Sequence, residues 1–348
     1  MSTISPLKVL LLAGGRSSER DVSLASGEAV RTHLGELGHT VRSVEIDQRG
    51  RWLDVTDFGE QRDHNVQPIA IVPGSGPEGI GVDVVFPLLH GPFGEDGSIQ
   101  GLLESIDVPY VGAGVAASAT CLDKLLFKDL MAKYDLAQVR YRAVEATKWR
   151  GTPEQRTSVL DSIYELGMPV FVKPARLGSS VGISCVTSSS ELEAAIERAL
   201  AHDPRVIVEA AAKGEEIECA VLGNHEVQVS QPGRIEFDTD WYDFDSKYEQ
   251  GGMRLIAPAP MSESLEIEIC SLAASTYKLA GCSGLARVDF FVDGDNILVN
   301  ELNTMPGFTP TSVFPQLFEA SGLPYGEVLQ RLLELALERH RSERSFQF

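Results

Sequence analysis

The chain has 348 residues, of which 43% are hydrophobic and 23% are charged, a composition that predicts a globular protein with two or three packed domains. Its formal net charge of −20, from 50 acidic and 30 basic residues, argues against nucleic acid or an anionic membrane as the main partner. An anionic substrate remains possible, because a few lysines and arginines can make the potential inside a cleft positive.

Apolar runs and helical periodicity predict alternating strands and helices in the first third of the chain. The predicted strands cover residues 8–13, 40–46, 69–72, 82–89 and 108–111, and the predicted helices cover residues 23–37 and 99–106. This alternation predicts a mostly parallel sheet that is covered on both faces.

Two further units are predicted after residue 113. The second contains helices at residues 116–134, 153–165 and 189–201, and strands at 139–144, 170–173, 182–186 and 206–209. The third contains strands at residues 216–222, 226–230, 288–292 and 297–300, helices at 263–280 and 325–341, and a frayed polar tail at 340–348. The predicted domains are therefore residues 1–113, 114–210 and 211–348.

Several features predict ordinary structure. The apolar run at residues 9–13 is too short for a signal sequence or a membrane span, and the five cysteines lack CxxC spacing, which predicts reduced thiols in a cytoplasmic protein. Residues 74–79 have the glycine spacing GxGxxG, but a strand rather than a helix is predicted after them, so we interpret them as a loop. The P-loop pattern GxxxxGK[ST] does not occur.

Two polar loops follow predicted buried strands. The first contains Glu19, which we expect at the carboxyl edge of the sheet, where open α/β folds bind ligands. The alternative for this loop is simple helix N-capping by serine or aspartate. The second loop, residues 90–101, has four glycines and begins with His90, which could instead be a hydrogen-bonded core histidine.

A lysine- and glycine-rich set predicts a phosphate-binding loop. Lys173 ends a strand, and Ser179 and Ser180 lie between two glycines shortly after it. Such a loop presents backbone N–H groups and hydroxyls to phosphate, while Lys124 and Lys128 add positive charge. The alternative is a flexible turn with solvated lysines.

An apolar strand predicted at residues 206–209 leads into a short connector, and this pattern is typical of an interdomain hinge. Its backbone, including Ala212, is placed to bind adenine, and Glu209 or Glu216 offers a carboxylate for the ribose hydroxyls.

The most specific pattern is a set of oxygen ligands on neighbouring strands. Asp289 lies on one predicted strand, and Glu301 and Asn303 end the next with i, i+2 spacing, which places them on one face. Three such oxygen ligands suit Mg²⁺ that bridges nucleotide phosphates.

With these residues identified, the chain resembles the D-alanine–D-alanine ligase family of the ATP-grasp type from about residue 8 to about residue 338. The similar stretches, in the family's order, are residues 14–27, 89–101, 109–124, 172–182, 242–248, 286–290 and 300–312. The resemblance implies an α/β fold with an N-terminal Rossmann-like (pre-ATP-grasp) domain, followed by a two-part ATP-grasp fold with ATP between its parts.

The resemblance also implies a role for each matching residue. Glu19 would hold the first amino group, His90 would lie near the first carboxylate, and Ser312 near the second. Arg287 and the backbone N–H of Gly307 would stabilise a tetrahedral oxyanion. The implied ATP-binding residues are Lys124, Lys173, Ser179, Ser180, Glu209, Ala212 and Glu216, and the implied metal ligands are Asp289, Glu301 and Asn303.

A long polar segment, residues 237–252, is interpreted as a mobile loop that closes over the site and excludes water. The resemblance implies that its Lys247 reaches the transferred phosphoryl group, and that Tyr248 joins Ser179 and Glu19 in a closing hydrogen-bond network. Tyr248 also favours a dipeptide product, by analogy with relatives that make D-alanyl-D-lactate and tend to lack this tyrosine.

The implied reaction joins two D-alanines through an acyl phosphate, with ATP and two Mg²⁺ ions (or Mn²⁺), for peptidoglycan precursor synthesis. A homodimer is the family expectation. The alternatives are a related ligase that uses D-lactate, D-serine or other amino acids, and a nucleotide-binding protein without turnover. The intact Arg287, Asp289, Glu301 and Asn303 argue against the last of these.

Overall fold

The computed structural model describes residues 5–59, 68–71, 80–178, 180–237 and 253–347, and this part of the chain forms three β-sheets. The strands are β1 (Lys8–Gly14), β2 (Thr40–Ile46), β3 (Trp52–Val55), β4 (Val84–Pro87), β5 (Tyr141–Glu145), β6 (Val170–Pro174), β7 (Ser184–Val186), β8 (Arg205–Ala210), β9 (Glu215–Gly223), β10 (Val227–Val229), β11 (Gly233–Phe237), β12 (Met253–Ile256), β13 (Gly284–Asp293) and β14 (Asn296–Asn303). The helices are α1 (Arg20–Glu36), α2 (Ser98–Ser105), α3 (Val115–Leu122), α4 (Lys124–Lys133), α5 (Ala146–Trp149), α6 (Pro153–Tyr164), α7 (Ser189–Leu200), α8 (Glu263–Leu279), α9 (Val313–Ala320) and α10 (Tyr325–Glu343). Among the described residues, no helix has the length and apolar character needed to cross a membrane.

The first sheet has the strand order β3-β2-β1-β4. β1 is parallel to β2 and β4, and β3 is antiparallel to β2 at one edge. Val9 and Leu11 pack into the core on one face of β1, and Leu10 and Leu12 pack into the core on the other. Because β1 is buried on both faces, it has to be apolar at nearly every position. The predicted mostly parallel sheet, covered on both faces, is confirmed.

The second and third sheets are antiparallel. The second has the order β5-β8-β6-β7, and α6 and α7 pack against it in a core that contains Ile163 and Ile196. The third has the order β12-β11-β9-β13-β14, with β10 paired to β9. α8 covers one face of the third sheet through Ile269 and Tyr277, so the other face is available to form a site.

The two C-terminal helices connect the first sheet to the third. Phe314 of α9 and Leu332 of α10 lie in one hydrophobic core with apolar side chains of both sheets. Arg339 of α10 donates hydrogen bonds to the carbonyl oxygens of Tyr110, at 3.2 Å, and of Gly112. These contacts tie the end of the chain to its N-terminal sheet, and the three-domain division stays a prediction.

The prediction of one continuous helix at residues 116–134 is wrong, because two helices occupy this range: α3 ends just before Asp123 and α4 begins just after it. The backbone of Asp123 is extended, and its Oδ1 accepts the N–H groups of Leu125 and Leu126 at 3.1 and 3.2 Å. Its Oδ2 pairs with Arg205 of β8. An aspartate that caps one helix in this way interrupts an otherwise continuous helical pattern.

Two predicted strands are not strands in the structure. Residues 69–71 have no regular structure, and residue 72 lies outside the described residues. Residues 108–111 form only an isolated bridge between Tyr110 and Val85. Apolar character alone does not distinguish a buried connection from a paired strand. The loop interpretation of residues 74–79 also falls outside the described residues.

The sequence interpretation missed the short elements β3, β11, β12, α5 and α9. It also predicted fraying from residue 340, whereas α10 continues to Glu343. The helix end is held to the N-terminal part of the chain, because His340 and Arg344 both contact the carboxylate of Asp107.

Candidate active site

One cavity of about 230 Å³ collects most of the predicted site residues at the junction of the first and third sheets. Its walls come from the loops after β1 and β4, from the start of α4, and from the open face of β9, β13 and β14. The predicted residues that line it are Glu19, His90, Lys124, Glu216, Arg287, Glu301, Asn303, Gly307 and Ser312. Five other predicted residues do not line it: Lys173, Ser180, Glu209, Ala212 and Asp289.

Strand alternation places four polar side chains on one face of β13 and β14. Arg287 and Asp289 are two residues apart on β13, as are Glu301 and Asn303 on β14. In the antiparallel register, Arg287 lies opposite Asn303 and Asp289 lies opposite Glu301. The residues between them point into the core under α8. The predicted arrangement of oxygen ligands on one face agrees with this register, and their role as ligands stays a prediction.

β9 adds two more carboxylates to the same face, Glu216 and Glu218. Glu218 lies opposite Asp289, and its Oε2 is 3.1 Å from Nε of Arg287. The sequence interpretation included Glu216 and missed Glu218. The i, i+2 spacing on a strand was the signal that would have found it.

Arg287 is held between two carboxylates. Its Nε donates to Oδ1 of Asp289 at 2.7 Å and its Nη2 donates to Oδ2 at 2.6 Å, while Glu218 contacts Nε from β9. Burial opposes the positive charge, but Asp289 and Glu218 outweigh it and raise the pKa of Arg287 well above its usual value. Arg287 is therefore a permanent cation at the floor of the cavity.

The oxygen atoms on this face fit a magnesium ion. Asp289 and Glu301 face each other, and Asn303 donates from Nδ2 to Oδ2 of Asp289 at 3.1 Å. Burial raises the pKa of Asp289, and the charge of Glu301 adds to the effect, so a cation here would relieve an unfavourable pair of acids. Among the described residues there is no group of three or more His, Cys, Asp or Glu that could hold a metal. The predicted set includes the amide of Asn303 as its third ligand.

A buried ion cluster joins β6, β8 and α4. Oε2 of Glu209 is 2.6 Å from Nζ of Lys173, and Oε1 is 2.9 Å from Nζ of Lys128. Burial alone would raise the pKa of Glu209, but the two lysines outweigh it and hold the pKa at about 2. Glu209 is only 3% exposed, which places its carboxylate against the lysines rather than on an open surface. Its predicted contact with the nucleotide stays a prediction.

Lys124 connects the predicted phosphate loop to the third sheet. Its Nζ donates to the carbonyl of Leu177 at 3.0 Å and lies 3.5 Å from Oε2 of Glu301. The backbone N–H of Lys124 donates to the carbonyl of Ala175 at 2.9 Å. Ser180 has a left-handed backbone conformation, with φ of 59°. Lys124 thus places positive charge beside the loop and one predicted metal ligand.

The first two backbone N–H groups of the predicted hinge are used within the fold. The N–H groups of Ala210 and Ala211 donate to the carbonyls of Arg140 and Pro169 at 2.9 and 3.2 Å. The N–H of Ala212 donates to no group in the described ranges. This pattern suits the predicted contact between the hinge backbone and adenine.

Two glycines make room for the side chain of Glu19, which lines the cavity. Glu19 occupies the N-cap position of α1 and its side chain makes no capping hydrogen bond, so the alternative, simple N-capping by serine or aspartate, does not describe the start of this helix. Gly91 has φ of 68°, and a Cβ atom there would collide with Oε2 of Glu19. A Cβ atom at Gly178 would lie 3.1 Å from the same oxygen. The two glycines therefore let loops from different sheets close around this carboxylate.

His90 is both a core residue and a cavity residue. Its Nδ1 donates to the carbonyl of Met305 at 2.9 Å, and its Nε2 has no hydrogen-bond partner among the described residues. Burial lowers the pKa of His90, and the negative charge of Glu19 only partly opposes this effect. The imidazole is therefore neutral at neutral pH, with one nitrogen used for structure and one available to a ligand.

The loop after β14 carries Gly307 and Ser312. Side-chain oxygens accept hydrogen bonds from the backbone N–H groups of Met305, Phe308 and Thr309, with donor–acceptor distances of 3.0 to 3.1 Å. Gly307 donates to no group in the part of the chain that the structure describes. Its N–H therefore remains available to a ligand in the cavity. Ser312 precedes α9, and its hydroxyl is 2.8 Å from that of Thr309.

Three predicted site residues, Ser179, Lys247 and Tyr248, lie outside the described residues, as does the predicted closing loop beyond residue 237. Their roles stay predictions.

Family comparisons agree with this geometry. The family described as D-ala D-ala ligase N-terminus matches residues 8–113, and the family described as D-ala D-ala ligase C-terminus matches residues 130–334. The D-alanine–D-alanine ligase of Bacillus velezensis is 42% identical over 344 residues, which cover 94% of this chain and 97% of the relative. That of Deinococcus radiodurans is 43% identical over 337 residues, which cover 95% and 98%.

Solved structures of similar proteins have the same fold. The D-alanine–D-alanine ligase from Coxiella burnetii has a TM-score of 0.84 at 34% identity and covers 98% of this chain and 97% of its own. The VanG D-Ala:D-Ser ligase from Enterococcus faecalis has a TM-score of 0.82 at 32% identity, with 95% and 100% covered. The predicted Rossmann-like domain followed by a two-part ATP-grasp fold is thereby confirmed. The chain belongs to the D-alanine–D-alanine ligase family.

Proposed function

We propose that the cavity between the first and third sheets joins two D-alanines into D-alanyl-D-alanine at the expense of ATP, for peptidoglycan precursor synthesis. The family membership and the near full-length similarity to ligases of this name support the activity. In this proposal, Glu19 binds the amino group of the first D-alanine, His90 lies near the first carboxylate, and the hydroxyl of Ser312 lies near the second.

The chemistry requires an activated carboxylate. An oxygen of the first carboxylate attacks the γ-phosphorus of ATP, so that ADP leaves and an acyl phosphate forms. The amine of the second D-alanine then adds to the acyl carbon and gives up a proton to solvent or to the departing phosphate. The tetrahedral intermediate collapses, and phosphate leaves with the carboxylate oxygen that had attacked the γ-phosphorus. Catalysis is then mainly positioning and charge stabilisation, because phosphate already supplies the leaving group.

One structural observation carries the assignment. The permanent cation of Arg287 and the open N–H of Gly307 line the same cavity, and both are donors suited to the negative oxygen of a tetrahedral intermediate. Phosphate binding by Lys124, Lys173, Ser179 and Ser180, contact of Lys247 with the transferred group, and closure by Tyr248 complete the proposal.

Magnesium binding is proposed at Asp289, Glu301 and Asn303. The ions would neutralise the phosphates of ATP, and we propose two of them, with Mn²⁺ as a possible substitute. Calorimetric titration of ADP with and without Mg²⁺ tests this independently of turnover, since the proposal requires tighter binding of the nucleotide with the metal. We also propose a homodimer, which light scattering tests by a mass of twice 37.8 kDa.

The activity assay combines purified protein, ATP, Mg²⁺ and D-alanine, and follows ADP release and product mass. ADP release that depends on D-alanine, with D-alanyl-D-alanine as product, supports the proposal. Nucleotide binding without any turnover would instead leave a binding protein.

A second candidate is ligation of D-alanine to D-serine, favoured by the structural likeness to the VanG D-Ala:D-Ser ligase. Parallel reactions with equal D-alanine and D-serine, or D-lactate at neutral pH, separate the candidates. A mixed product in excess over D-alanyl-D-alanine would favour the second candidate.

A further inference from the structure

A buried carboxylate outside all of the roles above, Glu95, links the first sheet to the loop that carries Gly307. Glu95 lies in the glycine-rich loop after β4 and is 9% exposed. Its Oε2 accepts the N–H of Gly91 in its own loop at 2.7 Å, and its Oε1 accepts the N–H of Met305 at 3.1 Å. One carboxylate therefore joins loops that are 210 residues apart in the sequence.

The same loop also holds the other polar backbone group of Met305. His90 donates from Nδ1 to the Met305 carbonyl at 2.9 Å, and the backbone of His90 is itself held by the hydroxyl of Ser17, which donates to its carbonyl at 2.7 Å. The N–H and the carbonyl of Met305 are thus both fixed by side chains from the loop after β4.

This double attachment matters because Gly307 is only two residues away. Phe308, the residue after Gly307, is held in a similar way, since its N–H donates to Ser26 at 3.1 Å and its carbonyl accepts from Tyr325 at 2.7 Å. The open N–H of Gly307 therefore lies between two anchored residues. A donor to a developing charge is effective when its position is fixed before the reaction.

We propose that Glu95 is a positioning residue for the ligation, which fixes Met305 so that the N–H of Gly307 is held toward the negative oxygen of the tetrahedral intermediate. The inference rests on the proposed function, because it requires the role of Gly307 there. Glu95 also lines the cavity, but in this account it acts through the backbone of Met305.

The chemistry of the side chain supports the choice of glutamate. Two N–H groups need two acceptor oxygens, and a carboxyl group has two oxygens in either protonation state, whereas the amide of glutamine supplies one oxygen and turns an NH₂ donor toward the other N–H. Burial raises the pKa of Glu95 to about 8, and the charge of Glu19 contributes, so the side chain is largely neutral at neutral pH and its two oxygens, rather than its charge, carry the proposed role.

The test compares three single variants of the full chain. Glu95→Gln keeps the shape but loses one acceptor, and Glu95→Asp keeps the carboxyl group but is too short to reach both loops. Asp96→Asn is the matched control, since among the described residues the carboxylate of Asp96 accepts the N–H groups of Phe93 and Ser98, which lie within its own loop. Thermal unfolding and ADP binding establish that each variant is folded.

We expect kcat to fall about 10- to 100-fold in both Glu95 variants, while KM for ATP stays within about twofold. Asp96→Asn should stay within about twofold of the parent in both constants. The inference is overturned if Glu95→Asp retains the parent kcat, since the link between the two loops would then not matter. It is also overturned if either variant raises KM for ATP at unchanged kcat. Failure of the proposed function would be distinct, because the parent chain itself would then show no D-alanine-dependent ADP release.

Discussion

Arg287 and Asp289 form a two-point ion pair on β13, with donor–acceptor distances of 2.7 and 2.6 Å. The pair joins the guanidinium proposed for the oxyanion to a carboxylate proposed for magnesium. A change at Asp289 is therefore expected to affect both metal binding and the placement of Arg287.

Asp289→Asn should lower kcat by at least about 10- to 100-fold and weaken the binding of Mg²⁺-ADP relative to ADP alone. The amide keeps the shape but removes the charge that both Arg287 and the metal need. Asp293→Asn is the control, because Asp293 is exposed at the far end of the same strand. Equal preference for Mg²⁺-ADP in the parent and Asp289→Asn would contradict the assignment of this ligand.

Lys247→Ala should lower kcat by about 100-fold or more while the affinity for ATP changes little, because Lys247 is proposed to contact the group in transfer rather than the bound nucleotide. Steady-state kinetics with varied ATP and a direct ATP-binding measurement give the two quantities. Lys278→Ala, at an exposed position in α8, controls for the loss of a lysine. A rate like that of the parent would rule out contact between Lys247 and the transferred group.

Lys128→Met should destabilise the folded chain by about 3 kcal/mol at neutral pH, because Glu209 then keeps only Lys173 as a partner. The pKa of Glu209 is about 2 in the folded chain against an ordinary 4.5, so its stabilising contribution is present above about pH 4.5 and is lost as the pH falls toward 2. The loss from Lys128→Met should accordingly shrink below about pH 4.5.

Denaturant unfolding across this pH range measures the effect, with Lys133→Met at the exposed end of α4 as the control. The same destabilisation at every pH would mean that Lys128 acts through packing alone.

The contribution of Glu95 to stability changes with pH in the opposite direction to that of Glu209. Its pKa is raised, mainly by burial, from 4.5 to about 8, so the folded chain retains a proton that the unfolded chain has released. The parent should therefore lose stability as the pH rises from about 4.5 to about 8. Glu95→Gln lacks this titration, so its free energy of unfolding should improve relative to the parent between about pH 5 and about pH 8.5. A difference that is constant over this range would contradict burial of an ionisable acid at Glu95.

The sequence allowed good prediction wherever one element determines the geometry. Strand alternation places Glu301 and Asn303 on one face of β14. Asp289 joins them only because a β-bulge between Asp289 and Phe290 shifts the register of the hairpin by one residue. The same reasoning would have included Glu218 if it had been applied to β9.

Sequence patterns were insufficient where a role depends on a distant partner. The importance of Glu95 lies in its bond to the backbone N–H of Met305, and that of Asp123 in its contact with Arg205 of β8. Neither partner is near in the sequence. The structure also shows Glu209 enclosed by Lys128 and Lys173, an arrangement that the strand pattern alone does not reveal.

The most direct test of the central claim, ligation through an acyl phosphate in this cavity, follows the carboxylate oxygens of the first D-alanine. The protein is incubated with ATP, Mg²⁺ and D-alanine that carries oxygen-18 in its carboxylate, and the released phosphate and the dipeptide are analysed by mass spectrometry. One labelled oxygen should appear in phosphate for each D-alanyl-D-alanine formed. Dipeptide formation with unlabelled phosphate, or ADP release that does not depend on D-alanine, would contradict the account.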